Sequence, residues 1–204
     1  MNGDNGGASR LKPIMPRRNR TYIALIRAIN VGGRNALPMN SLVAILEGLG
    51  ALNVSTYIQS GNAVFEAAKI DPVKFANRIA AEISKRHGFE PHTQILGLET
   101  LKKAVSKNPF PEAVSNPASL HLGFLASRPE NPDVKKLAFL KKESEQFQLG
   151  DGVFYIYAPE GVGKSRLAAG AEKALGVPLT DRNWRTVCKL VEMSEDHDWA
   201  WQRK

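Results

Sequence analysis

Val54-Ser-Thr-Tyr-Ile58-Gln-Ser-Gly-Asn-Ala63-Val-Phe-Glu66 is the stretch on which the fold turns. Residues 54–58 and 63–66 read as strands, and Ser60-Gly61-Asn62 between them is turn chemistry in which Gly61 can take a positive φ, so the segment predicts a β-hairpin. Upstream, residues 22–29 read as a buried strand. Pro38 then opens a helix that keeps Leu42, Val43, Ile45, Leu46 and Leu49 on one side and closes at Gly48 and Gly50. Downstream, Asp71-Pro72 is an N-cap followed by proline at the first helical position, and Phe75, Ile79 and Ile83 space the buried face of a helix that Gly88 stops. Residues 92–96 supply a last short strand. The order strand, helix, hairpin, helix, strand predicts a ferredoxin-like (βαββαβ) unit.

Further along, a connector helix over 99–107 runs into a Pro/Asn/Ser-rich boundary ending at Ser119, after which the order resumes. Residues 120–126 read as a strand, Asn131-Pro132 caps a helix through Lys142, and 145–149 turns at Gly150-Asp151-Gly152 into 153–158. A helix over 164–175 stops at Gly176, and a final helix over 183–193 sets Trp184, Val187, Cys188 and Val191 on one stripe, which places Cys188 in the core. The expected architecture is therefore α+β, two tandem ferredoxin-like subdomains with an additional C-terminal helix. Its parts are a flexible basic tail at 1–20, an N-terminal subdomain at 21–97, a connector helix and linker at 98–118, a C-terminal subdomain with the final helix at 119–193, and a tail at 194–204.

A chain of 204 residues with 43% apolar and 24% charged residues has material for a substantial core. Its apolar runs are far shorter than the roughly 20 residues that cross a bilayer, which predicts a soluble protein without a membrane partner. No apolar segment follows the early basic residues before Tyr22, and a single cysteine allows no internal disulfide, so a cytoplasmic location is expected. Half of the +8 net charge lies in residues 1–20, where Arg10, Lys12, Arg17, Arg18 and Arg20 face one acid, Asp4. The body is thus only weakly basic, and nucleic-acid binding is a secondary reading carried by the tail or by stacking on Tyr155 and Tyr157.

Two segments read as one binding face. In the first half Arg27, Asn30, Gly32, Gly33, Arg34 and Asn35 follow a strand, with Gln59, Ser60 and Asn62 at the hairpin. In the second half Lys164, Ser165 and Arg166 open a helix, with Arg182 and Asn183 before the last one. Cations at a helix N-terminus oppose its dipole, which points to an anion between them. Residues 161–165 stand in the strand–loop–helix setting of a phosphate-binding loop. Yet Ala158 replaces the motif's first glycine and Pro159 removes an N–H, so a tight turn capped by Ser165 is the better reading and no nucleotide cofactor is expected. His87, His92, His121 and His197 have no metal-type spacing, and no metal or catalytic triad is expected.

Arg27-Ala-Ile-Asn-Val-Gly-Gly33, Pro38-Met39, Thr56-Tyr-Ile-Gln-Ser-Gly-Asn62, residues 161–167 and Arg182-Asn-Trp-Arg-Thr-Val187 together resemble the bacterial family called domain of unknown function 1697, DUF1697, over about residues 21–193. The resemblance implies a duplicated ferredoxin-like arrangement and no established activity. It also implies three departures, since the family's pattern has glycine at Ala28, arginine at Lys164 and asparagine at Arg185. The expected function is binding of a polar or phosphorylated small molecule at the interface of the subdomains. An enzyme acting on an anionic substrate through an arginine- and amide-lined cleft is the alternative.

Overall fold

Residues Arg20–Ile26 form β1, apolar at successive positions because both of its faces are covered. Tyr22, Ala24 and Ile26 pack into one core, while Ile23 and Leu25 point the other way into a second. The computed structural model describes residues 19–201. The basic stretch at 1–18 and the side chains around His197, including Trp199 and Trp201, lie outside the described residues.

After β1 come α1 (Met39–Gly48), β2 (Leu52–Tyr57), β3 (Asn62–Ala67), α2 (Pro72–His87) and β4 (Thr93–Gly97). The strands form an antiparallel sheet in the order β2-β3-β1-β4. Asp71 caps α2 by accepting from the Val73 and Lys74 N–H groups, and Gly88 ends it at φ 77°, so both expected boundaries stand. Gly61 has φ 76°, and a Cβ there would sit 2.6 Å from the Ile26 carbonyl oxygen, so the hairpin has no room for any other residue.

The connector helix is α3 (Leu98–Ser106), followed by β5 (Leu120–Leu125), α4 (Val134–Leu140), β6 (Gln146–Leu149), β7 (Val153–Tyr157), α5 (Arg166–Leu175), β8 (Leu179–Asn183) and α6 (Trp184–Trp201). The second antiparallel sheet repeats the first in its order, β6-β7-β5-β8. Asp133, not Asn131, caps α4 by accepting from the Lys136 N–H. The segment Leu179–Asn183, where the sequence pattern predicts no strand, is the edge strand β8 on β5. The last helix continues beyond Met193 to Trp201 instead of giving way to a loose tail.

Mixed α+β structure with two four-stranded antiparallel sheets and six α-helices is thus what the described residues form. One core lies between the first sheet and α1 and α2, another between the second sheet and α4 and α5. The central core joins the halves: Ile23, Leu25 and Val64 of the first sheet share it with Leu122, Phe124 and Tyr155 of the second. Helices α3 and α6 contribute Leu101, Ala104, Val187 and Leu190 to it, and α6 packs on β1, β3, β5 and β8. Cys188 is half-buried, packed against the margin of this core and not enclosed in it. Burial raises its thiol pKa. Tyr155 is buried, with its hydroxyl donating to the Ala104 carbonyl, so its ring is not offered for base stacking, and Tyr157 is half-buried against the same core.

Candidate functional site

The seam between the halves gathers several of the residues singled out from sequence. Arg182 reaches from β8 into the first half. Its Nε donates to Asn62 Oδ1 at 2.6 Å, its Nη2 to the Ile26 carbonyl at 2.9 Å and the Ser60 carbonyl at 3.1 Å, and its Nη1 to its neighbour's Asp181 carbonyl at 2.8 Å. Burial pulls its pKa down to about 10, against the opposing charge of Asp181, so it stays cationic at neutral pH. A planar guanidinium matches this fan of acceptors where an ammonium would not.

Arg27 makes the reciprocal connection. Its Nη1 and Nη2 form a two-pronged ion pair with Glu172 of α5, and Nη1 also donates to the Leu179 carbonyl at 3.3 Å. Glu172 Oε1 accepts the Leu179 N–H at 2.8 Å as well. Partial burial opposes ionisation of Glu172, but the bonds from Arg27 and Leu179 and the positive charge of Arg27 outweigh it and lower its pKa. Both arginines therefore meet at the seam, as the sequence suggested, but their donors are committed to protein acceptors. They clamp the halves together.

The loop between β1 and α1 is set by backbone geometry. Gly32 and Gly33 have φ of 58° and 73°, and the Arg34 N–H donates to the Val31 carbonyl at 3.0 Å, the hallmarks of a type I′ turn. Asn30 anchors the base: its Oδ1 accepts the Leu37 N–H at 2.8 Å, while its Nδ2 donates to the Leu37 carbonyl at 2.9 Å and the Gln59 carbonyl at 2.8 Å. Asn35 Nδ2 donates to the Ala28 carbonyl at 2.9 Å. Ala28, Asn30, Asn35 and Ile58 all hold left-handed backbone, at φ 56°, 55°, 52° and 47°. Asparagine tolerates that conformation, whereas alanine and especially β-branched isoleucine resist it. The tip leaves Val31 66% and Ile58 52% exposed, with Arg34 beside Val31 across the turn. Ser60 Oγ and the Tyr57 carbonyl accept from Asn62 Nδ2 within the hairpin.

Lys164 and Arg166 stand at the start of α5. Residues Val162–Lys164 form a 3₁₀ turn ahead of α5, and Ser165, itself buried, caps the helix by accepting the Ala168 N–H at 3.0 Å. The Glu160 carboxyl's pKa is lowered chiefly by its bonds from Lys142 and Ser144, with a smaller contribution from the charge of Lys164, which lies ahead of the helix. Asn183 likewise caps α6, its Oδ1 accepting the Thr186 N–H at 2.9 Å. Ser165 and Asn183 thus cap helix starts, with Lys164 and Arg166 on either side of the first.

One pair escaped the sequence reading. His121 on β5 is 8% exposed, with Nδ1 at 2.7 Å from Asp181 Oδ2 and Nε2 at 3.1 Å from the Ala118 carbonyl. Burial opposes its protonation, but the hydrogen bond and charge of Asp181, with the Ala118 carbonyl, raise its pKa above the ordinary value. Both ring nitrogens face acceptors, the arrangement that suits an imidazolium, so neither is available as a general base. Asp181 sits two residues from Asn183 and the two pair with Gly123 and His121 across the ladder, a neighbourhood visible only once residues 179–183 are placed as a strand. No cluster of three or more metal-ligating side chains occurs among the described residues. No helix among them is long and apolar enough to cross a membrane.

Two α+β halves of like strand order, locked by reciprocal arginines beside an exposed turn, define this molecule's class. The family model for DUF1697, a protein of unknown function, matches residues 20–155, and the chain belongs to that family. Among solved structures it is similar to a conserved bacterial protein, SP0830 from Streptococcus pneumoniae, at 26% identity and a TM-score of 0.63, over 86% of this chain and 99% of that one. No curated protein matches the chain.

Proposed function

We propose that the protein is a cytoplasmic binding protein made of two tandem ferredoxin-like units, and that it holds a polar or phosphorylated ligand at the turn beside the seam. The repeated strand order supports the first part, since β2-β3-β1-β4 and β6-β7-β5-β8 are the same path traced twice. The single observation that carries the second is the left-handed backbone at Ala28 and Ile58. Such conformations are unfavourable by about 1–3 kcal/mol each and persist where surrounding bonds over-determine them, which is common at ligand-contacting loops. Here Asn30 supplies those bonds by tying the turn to both Leu37 and Gln59. The turn fixes the Gly32-Gly33 backbone before binding and carries the exposed Arg34 and Gln59 side chains beside it. An anionic group facing Arg34 is the matching ligand chemistry.

A thermal-shift panel of phosphorylated metabolites and mononucleotides tests this on the wild type and Arg34→Ala. A ligand at 100 times its Kd adds about 2.7 kcal/mol, which for a chain of this size raises Tm by roughly 5–10 °C. The expected result is such a shift in the wild type and its loss in Arg34→Ala. A panel without any shift, or a shift that Arg34→Ala retains, overturns the reading.

A further inference from the structure

We propose that the free edge of β4 is a peptide-binding site, at which an extended segment of a partner protein adds to the first sheet as a fifth strand. This surface is separate from the Arg34 turn. Strand β4 ends the order β2-β3-β1-β4, so only one of its sides is paired. The ladder tells which residues face outward. Ile26 donates to Gly61 on the β3 side and Arg27 to the His92 carbonyl on the β4 side, and the β1–β4 register pairs Leu25 with Gln94 and Ile23 with Leu96. Because bonding alternates along an antiparallel strand, His92, Gln94 and Leu96 turn their backbone groups toward β1, whereas Thr93 and Ile95 turn theirs away. No described hydrogen bond satisfies the outward N–H and C=O groups of Thr93 and Ile95.

Those two residues line a cleft of about 660 Å³ between β4 and α2, closed at one side by Ala126 of the second half. The helix wall is Val73, Ala76, Asn77 and Ala80, one face at spacings of three and four whose small side chains keep the backbone edge within reach. An extended peptide supplies complementary donors and acceptors at the roughly 6.7 Å repeat of alternate residues, matching Thr93 and Ile95. Every second side chain then enters the cleft against Ala76 and Ala80, which suits a small apolar residue. The mouth carries an exposed carboxylate, Glu90. The segment is therefore assigned a lysine or arginine at the end that meets Glu90, by charge complementarity.

The experiment selects a phage-displayed decapeptide library on the full chain and measures the enriched peptides, synthesised singly, by anisotropy and by amide hydrogen exchange. Expected are sequences of alternating apolar pattern with a basic end, and at least tenfold slower exchange at the Thr93 and Ile95 amides on binding, with His92, Gln94 and Leu96 unchanged. Thr93→Pro removes an outward donor and leaves the β1 ladder intact, and Asn77→Trp fills the cleft from an exposed helix position. Each is expected to weaken binding at least tenfold, and the second serves if the proline variant does not fold. Absence of enriched peptides, equal binding to Asn77→Trp, or protection of the same amides by a concentration-dependent dimer overturns the proposal.

Discussion

Replacing Arg182 by alanine should destabilise the whole molecule by about 3–5 kcal/mol, although the residue lies on an edge strand. The guanidinium donates to four acceptors of the first half: Asn62 Oδ1, the Ile26 carbonyl, the Ser60 carbonyl and, at 3.4 Å, the Gly61 carbonyl, which also accepts the Ile26 N–H. Leaving one buried acceptor without a donor costs about 1–3 kcal/mol, which over the three shorter contacts gives an upper figure near 9. The Ser60 bond lies at the exposed end of the group, where water can replace the lost donor, and that brings the expectation to the stated range. For a chain of this length the midpoint of thermal unfolding should fall by on the order of 10 °C. Arg182→Lys should lose about half as much, because a point-like ammonium cannot face all three acceptors. The assay is urea and thermal unfolding of wild type, both variants, Asn62→Ala and the Arg182→Ala/Asn62→Ala pair. A coupling above about 1 kcal/mol is expected between the two sites. An Arg182→Ala protein within about 1 kcal/mol of the wild type would refute the clamp.

Ala28→Gly should stabilise the protein by up to about 1 kcal/mol in urea unfolding: left-handed backbone costs alanine about 1–2 kcal/mol, and glycine's greater freedom in the unfolded chain returns part of it. A loss of stability would show that the Ala28 methyl group contributes more than its backbone strain. The His121–Asp181 pair gives a pH signature. Since the folded-state pKa of His121 is raised, its contribution is complete below the unfolded value near 6.5 and disappears as pH rises through the folded value. The stability gap between wild type and Asp181→Asn should therefore shrink from pH 5.5 to 9 in urea titrations. A gap independent of pH would exclude the charged pair.

Local rules account for what was legible beforehand. The Asp71 cap, the Gly88 stop and the Gly61 turn depend on neighbours a few residues away, and each lies where those rules place it. The doubly buried strands were legible too, because 22–26 and 153–157 are apolar without a break. Strand β8 was not, since Thr180, Asp181, Arg182 and Asn183 look like a loop. Asp181 and Arg182 direct their polarity to distant partners, His121 for the first and Asn62 with the Ile26 carbonyl for the second, while Asn183 caps the adjoining α6. The same blindness affected the site. Arginine beside glycine and amide residues suggests a ligand face, yet for Arg27 the answering carboxylate is Glu172, 145 positions away. Gly32-Gly33 was visible as a special backbone position, but the turn type it forms became apparent only with the φ angles and the Val31–Arg34 bridge.

Helix α6 also imposes an order on synthesis. It covers β1 and β3, strands made long before it, and shares with them the central core. At about 5–20 residues per second the ribosome needs roughly 4–17 s to travel from the end of β4 to Trp184, and for that interval Ile23, Leu25 and Val64 lack the part of their cover that α6 supplies. The nascent first sheet therefore waits as a sticky intermediate, the state on which chaperones act, and fragments severed between the sheets would regain structure only by recombining.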